Sequence, residues 1–126
     1  MKNNEKEKEL KVIIKAKELA KQTFILTSNS NRYPKKYRHS LVDRIQLKSL
    51  DIYDELYEAN CTSNITDKKE RLEKITKAIT YCNELLFLIE LSMQLKLLEG
   101  NSMAYWTKMV CDVKYMAMAW RTKEKQ

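Results

Sequence analysis

Apolar residues recur along this chain at intervals of three and four, the period of a helix that buries one face. Four helical segments can be read, separated by polar breaks. The first spans residues 5–26, with Leu10, Ile13, Ile14, Ala20 and Phe24 on one broad face and lysines opposite. It ends at Thr27-Ser28-Asn29-Ser30-Asn31, whose short polar side chains compete with backbone hydrogen bonding. The second begins near Pro34, where a fixed dihedral and a missing N–H suit a first turn, and carries Leu41, Ile45, Ile52, Leu56 and Ala59 inward.

Residues 60–66 form the next break, after which Thr66 or Asp67 can cap a third helix. Its seam is the clearest in the chain: Leu72, Ile75, Ile79, Cys82, Leu86, Ile89, Met93 and Leu97 alternate by three and four. Over residues 85–98, Leu85, Phe87, Leu88, Leu91, Leu95 and Leu98 surround that seam. A helix apolar on nearly every side needs cover on nearly every side, which predicts self-association. The stretch is too short and too interrupted for a membrane span of about 20 apolar residues. Gly100-Asn101 is the expected left-handed stop, with Ser102 placed to cap a fourth helix whose inward stripe is Trp106, Val110, Val113, Ala117 and Trp120, flanked by Met109 and Met116. Short breaks between long helices imply antiparallel neighbours. The expected fold is all-α, a single-domain antiparallel up-down four-helix bundle over residues 1–126, assembled as a homo-oligomer.

Composition sharpens this. One glycine and one proline in 126 residues leave too few turn residues for a β-sheet and none for a glycine-rich phosphate loop. The net charge of +7, from 24 basic and 17 acidic residues, suits a polyanionic partner. The opening residues are dominated by Lys, Asn and Glu and do not read as a secretory leader, so a cytoplasmic location is expected. Cys61, Cys82 and Cys111 are odd in number and form no CxxC, which reads as reduced thiols, with Cys82 and Cys111 on apolar faces.

Candidate chemistry gathers in one place, Arg32-Tyr33-Pro34-Lys35-Lys36-Tyr37-Arg38-His39-Ser40-Leu41. If the second helix starts at Pro34, Lys35, Lys36, Arg38 and Arg44 sit at its positive pole, and Asp51, Asp54, Glu55 and Glu58 follow toward the negative one. Such a helix is charged against its dipole, and an anionic partner relieves the conflict. Lys48 lies one turn beyond Arg44 and can extend the patch. Tyr33 and Tyr37, beside Arg32 and Arg38, can stack on unpaired bases or pack against the bundle. His39 is the one candidate general base, but no serine or cysteine is recognisably paired with it, and no Glu-x-x-His di-metal signature occurs. Neither an enzyme, a metal centre nor a cofactor is expected.

Tyr33-Pro34-Lys35-Lys36-Tyr37-Arg38-His39-Ser40-Leu41-Val42-Asp43-Arg44-Ile45, Glu58-Ala59-Asn60 and Tyr105-Trp106 through Trp120-Arg121 together resemble the accessory variability determinant (Avd) proteins of diversity-generating retroelements. These belong to a wider four-helix-bundle family that includes ribosomal RNA intervening-sequence proteins. The resemblance spans residues 9–123. It implies a homopentameric barrel of bundles with a basic surface that binds RNA or DNA. It also implies association with a reverse transcriptase in mutagenic retrohoming, and no catalytic residue of its own. On matching positions, Lys35, Lys36, Arg38 and His39 belong to the family's basic turn. The basic pair common after the family's isoleucine is Gln46-Leu47 here, and Met118-Ala119 stand where small residues often precede the final tryptophan. The alternative is an intervening-sequence type of bundle acting as a structural or protein-interaction module.

Overall fold

With one glycine and one proline, the backbone has few places to leave an α-helix, and it does so three times, at residues 28–42, 62–67 and 95–99. The computed structural model describes residues 2–126, with side chains described from Lys11 onward. It contains four α-helices: α1 (Lys2–Thr27), α2 (Asp43–Cys61), α3 (Lys68–Gln94) and α4 (Gly100–Lys125). No strand occurs among the described residues. The main packing pairs are α1 with α2, α2 with α3, α3 with α4 and α4 with α1, so the helices form a four-helix bundle around one core. None of the described helices is long and apolar enough to cross a membrane.

The inward stripes of α2 and α4 fall where periodicity places them. Leu41, Ile45, Ile52, Leu56 and Ala59 are buried, as are Trp106, Val110, Val113, Ala117 and Trp120. Met109 and Met116 pack partly buried against the core. In α1 the predicted face is rotated. Ile13 is buried, but Ile14 is 51% exposed, Phe24 is also exposed and Ala20 is only half-buried. Leu10 lies outside the described side chains. The true stripe is Val12, Ile13, Ala16, Leu19, Thr23, Leu26 and Thr27. Two threonines belong to it because each hydroxyl bonds back to the carbonyl one turn earlier, Thr23 to Leu19 and Thr27 to Thr23, both at 2.7 Å.

In α3 the seam shares Ile75, Ile79, Cys82 and Ile89 with the prediction, but its other flank lies one residue earlier. Arg71, Ala78, Leu85 and Ser92 are buried, whereas Leu72 and Leu86 are half-buried and Met93 is exposed. A buried arginine and a buried serine are invisible to a reading that counts only apolar residues. Arg71 is held there through its two terminal nitrogens: it donates to the Thr62 carbonyl at 2.9 Å and pairs with Glu124 at 2.8 Å, while its guanidinium lies 5.1 Å from the Trp120 ring.

The break after α3 also differs. Gly100 does not stop α3; it is the first residue of α4 and has no positive φ. The left-handed residue is Lys96, at φ 62°. The Leu97 N–H bonds to the Ser92 carbonyl and the Lys96 N–H to the Met93 carbonyl, each at 2.9 Å, which is the paired closure of a Schellman motif. Ser102 does not cap α4 either. Glu99 holds the N-cap position without a side-chain bond, and the Ser102 hydroxyl accepts from Arg32. Asp67 does sit at the N-cap of α3, but its carboxylate takes the Thr66 hydroxyl instead of a helix N–H.

A lysine in the left-handed region costs about 1–2 kcal/mol in backbone strain, part of which glycine would return as unfolded-state entropy. Lys96→Gly should therefore raise unfolding stability by roughly 0.5–1 kcal/mol in a urea titration. A destabilised Lys96→Gly would mean that the lysine side chain supplies more than the strain removes.

Candidate nucleic-acid interface

The basic segment is held at both ends by buried side chains. Tyr33 is buried under the loop, beside Ser92, and burial raises its hydroxyl pKa against the opposing effects of Ser92 and Arg32. Its N–H, like that of Arg32, bonds to the Asn29 carbonyl, while the Asn29 side chain accepts from Asn31. Beyond the cations, Leu41, Val42 and Ile45 are buried, and Tyr37 packs partly buried against the core.

Between these anchors the chain does not form the regular helix that Pro34 suggests. Pro34 is extended, at ψ 157°, and stands before a 3₁₀ turn, Lys35–Tyr37. A wide turn, Arg38–Val42, follows, closed by the Asp43 N–H bonding to the Arg38 carbonyl five residues back. Regular α-helix begins only at Asp43. The wide turn fits one more residue than an α-turn, so Arg38, His39 and Ser40 all face outward before Leu41 and Val42 turn in. This also revises the dipole conflict. Lys35, Lys36 and Arg38 precede α2, its first turn holds Asp43 where an acid is favourable, and of the four cations only Arg44 lies inside α2.

The seven residues singled out from the sequence divide into two groups. Lys35, Lys36, Arg38, His39 and Arg44 are exposed. Lys36 lies 5.1 Å from the Tyr37 ring centroid, and His39, 87% exposed in its side chain, holds Asp43 at 3.0 Å through Nδ1. Arg32 and Lys48 are half-buried and engaged within the chain. Arg32 donates to Ser102 at 2.8 Å and so ties the turn to the start of α4. Lys48 pairs with Glu84 at 3.1 Å and covers the Tyr81 ring at 4.5 Å. Tyr33 serves as an anchor and is closed to stacking, whereas Tyr37 keeps a partly open face.

The periodicity gave no hint of a further run of cations at the start of α3, where Lys68, Lys69 and Lys77 border a groove. Its one signal was a pair of lysines in a first helical turn. Among the described residues, no three His, Cys, Asp or Glu side chains come together as metal ligands would. Neither a family model, nor a curated protein, nor a solved structure matches the chain.

The three cysteines are free but differ in setting: Cys61 is exposed, Cys111 half-buried rather than core, and Cys82 buried. Burial pushes the Cys82 thiol up to about 12, slightly offset by Lys114 and reinforced by Cys111. Above pH 9 the unfolded thiol gives up its proton while the folded one keeps it, so this group erodes stability as pH rises between the two values. Between about pH 8 and about pH 10, the parent should lose roughly 1.4 kcal/mol more unfolding stability than Cys82→Ala loses over the same interval. Equal losses in denaturant titrations of the two proteins would show that the Cys82 thiol ionises as freely folded as unfolded.

Proposed function

We propose that the exposed turns from Lys35 to Val42, with Arg44, form the nucleic-acid-binding surface of a non-catalytic accessory protein. Following the resemblance to Avd proteins, its setting is a diversity-generating retroelement, where it associates with the reverse transcriptase and binds RNA or DNA. One observation carries the reading: Lys35, Lys36, Arg38 and Arg44 are all exposed, and none has a carboxylate partner among the described residues, although the segment that bears them is fixed by buried residues on both sides. A rigid platform of unneutralised cations suits phosphates, which position a nucleic acid without reading its bases.

The up-down arrangement is part of the same reading. Lys48 of α2 pairs with Glu84 of α3, and Glu58 of α2 with Lys74 of α3. Residue numbers rise along one helix as they fall along the other, which supports antiparallel neighbours. Homo-oligomeric assembly, with five subunits implied by the resemblance, is supported by apolar side chains left in solvent: Phe87 at 58% exposure, with Leu95, Met93 and Leu47 also exposed.

Removing the cations tests the surface directly. Lys35→Ala, Lys36→Ala and Arg38→Ala combined should weaken binding to RNA and DNA of any sequence. The slope of log affinity against log salt should shrink by roughly 2–3 per protomer, with folding intact. Binding equal to the parent at every salt concentration would leave a structural or protein-interaction module as the better reading. For the assembly, sedimentation at micromolar concentration should return a discrete oligomer. A species of 15.0 kDa would overturn it.

A further inference from the structure

The ends of α2 and α4 meet the start of α3 through Arg71, which bonds to Thr62 and Glu124, and through Arg121, which reaches Thr76 at 3.5 Å. Along the outer face of this part of α3, between side chains of that helix alone, runs a shallow and largely open groove whose described lining residues are Lys68, Lys69, Leu72, Glu73, Thr76 and Lys77. Its lining is predominantly carbon, from Leu72 and the aliphatic stems of the lysines. Their ammonium groups are not neutralised: Lys68, Lys69 and Lys77 have no carboxylate within ion-pair distance among the described residues. The neighbouring cations on α3 are engaged, Arg71 by Glu124 and Lys74 by Glu58. Lys68 and Lys69 stand in the first turn of α3, beside Glu70 and next to Asp67 at the N-cap.

We propose that this groove is a docking site for an acidic amphipathic helix of a partner protein. Lys69, Leu72, Glu73 and Thr76 follow the i, i+3, i+4, i+7 pattern of one helical face, and residues 68–77 extend for about 13 Å, the length of two to three turns. An apolar side chain of the incoming helix rests on Leu72, and carboxylates on its flanks meet Lys68, Lys69 and Lys77. A nucleic acid would use the ammonium groups but leave the carbon floor without a partner, so the two features together favour a peptide. Glu73, the one acid among the described lining residues, opposes an acidic ligand and limits its affinity. The groove shares no residue with the basic turn, so the two surfaces can be tested independently.

The probe is a fluorescein-labelled, 14-residue helical peptide with leucines on one face and glutamates flanking them, titrated with the full chain at physiological salt. Two further probes are the same peptide with serine for leucine and an oligouridylate of equal charge. The leucine peptide should bind about tenfold more tightly than the serine peptide, and, once Lys35→Ala, Lys36→Ala and Arg38→Ala remove the basic turn, about tenfold more tightly than the oligouridylate. Lys69→Glu with Lys77→Glu, both exposed and hence harmless to folding, should weaken it about tenfold, and Glu73→Gln should strengthen it. Lys35→Ala, Lys36→Ala and Arg38→Ala combined should leave it unchanged. The proposal is overturned if the leucine and serine peptides bind equally, since the apolar floor then has no role, or if Lys69→Glu with Lys77→Glu has no effect. It is equally overturned if the oligouridylate binds more tightly than the peptide and loses that binding in the same variant, which assigns the groove to nucleic acid.

Discussion

The indole N–H of Trp106 has to find an acceptor inside the bundle, and much of the basic end is arranged around that requirement. Trp106 is fully buried and donates to the Thr23 hydroxyl at 3.0 Å. Leaving that N–H unmet would cost about 1–3 kcal/mol, a large share of a small domain's net stability. Thr23 can accept because its own proton is already committed to the Leu19 carbonyl. One turn on, Thr27 repeats the device, donating to the Thr23 carbonyl and accepting from Gln46 at 2.9 Å. Two threonines of α1 thereby fix the sliding register of both α4 and α2, and the loop between α1 and α2 is hung between elements whose positions are already set.

The opposite end is closed by charge instead of by neutral hydrogen bonds. Arg71, Glu124 and Trp120 form a nearly dry cluster in which one carboxylate oxygen of Glu124 accepts from both the guanidinium and the indole. Ion pairs of this kind contribute little net stability over a well-packed apolar substitute, but they are unforgiving of misplacement, because a buried charge without its partner is costly. The bundle therefore combines a greasy middle with polar locks at both ends, and the locks choose one helix register among several that the apolar stripes alone would tolerate.

That division explains what could be read from the sequence. Periodicity located all four helices and the stripes of α2 and α4, where the inward residues are almost purely apolar. It rotated α1 and shifted part of α3, the two helices in which Thr23, Thr27, Arg71 and Ser92 occupy core positions. A polar residue announces its burial only through a partner, and Trp106, Gln46 and Glu124 are distant in sequence from the residues they satisfy. The helix stop was misplaced for a related reason: Gly100 is the obvious left-handed residue, but hydrogen bonds from Leu97 and Lys96 close α3 earlier. Of the basic residues, the exposed group was recoverable from clustering alone. The engagement of Arg32 and Lys48 depends on Ser102 and Glu84, far along the chain.

The wide turn at Arg38–Val42 has an implication for how this chain can change. A helical turn holding one residue more than its neighbours is the local outcome of a single-residue insertion, provided that the anchors on either side keep their places. Tyr33 before it and Leu41, Val42 and Ile45 after it meet that condition. Length variation at this point is absorbed in one turn and never reaches the core register of α2. The segment that carries the exposed cations is thus also one where the chain can gain or lose a residue without moving the core positions of α2, so its outward chemistry can change through a single insertion or deletion while the bundle beneath it stays the same.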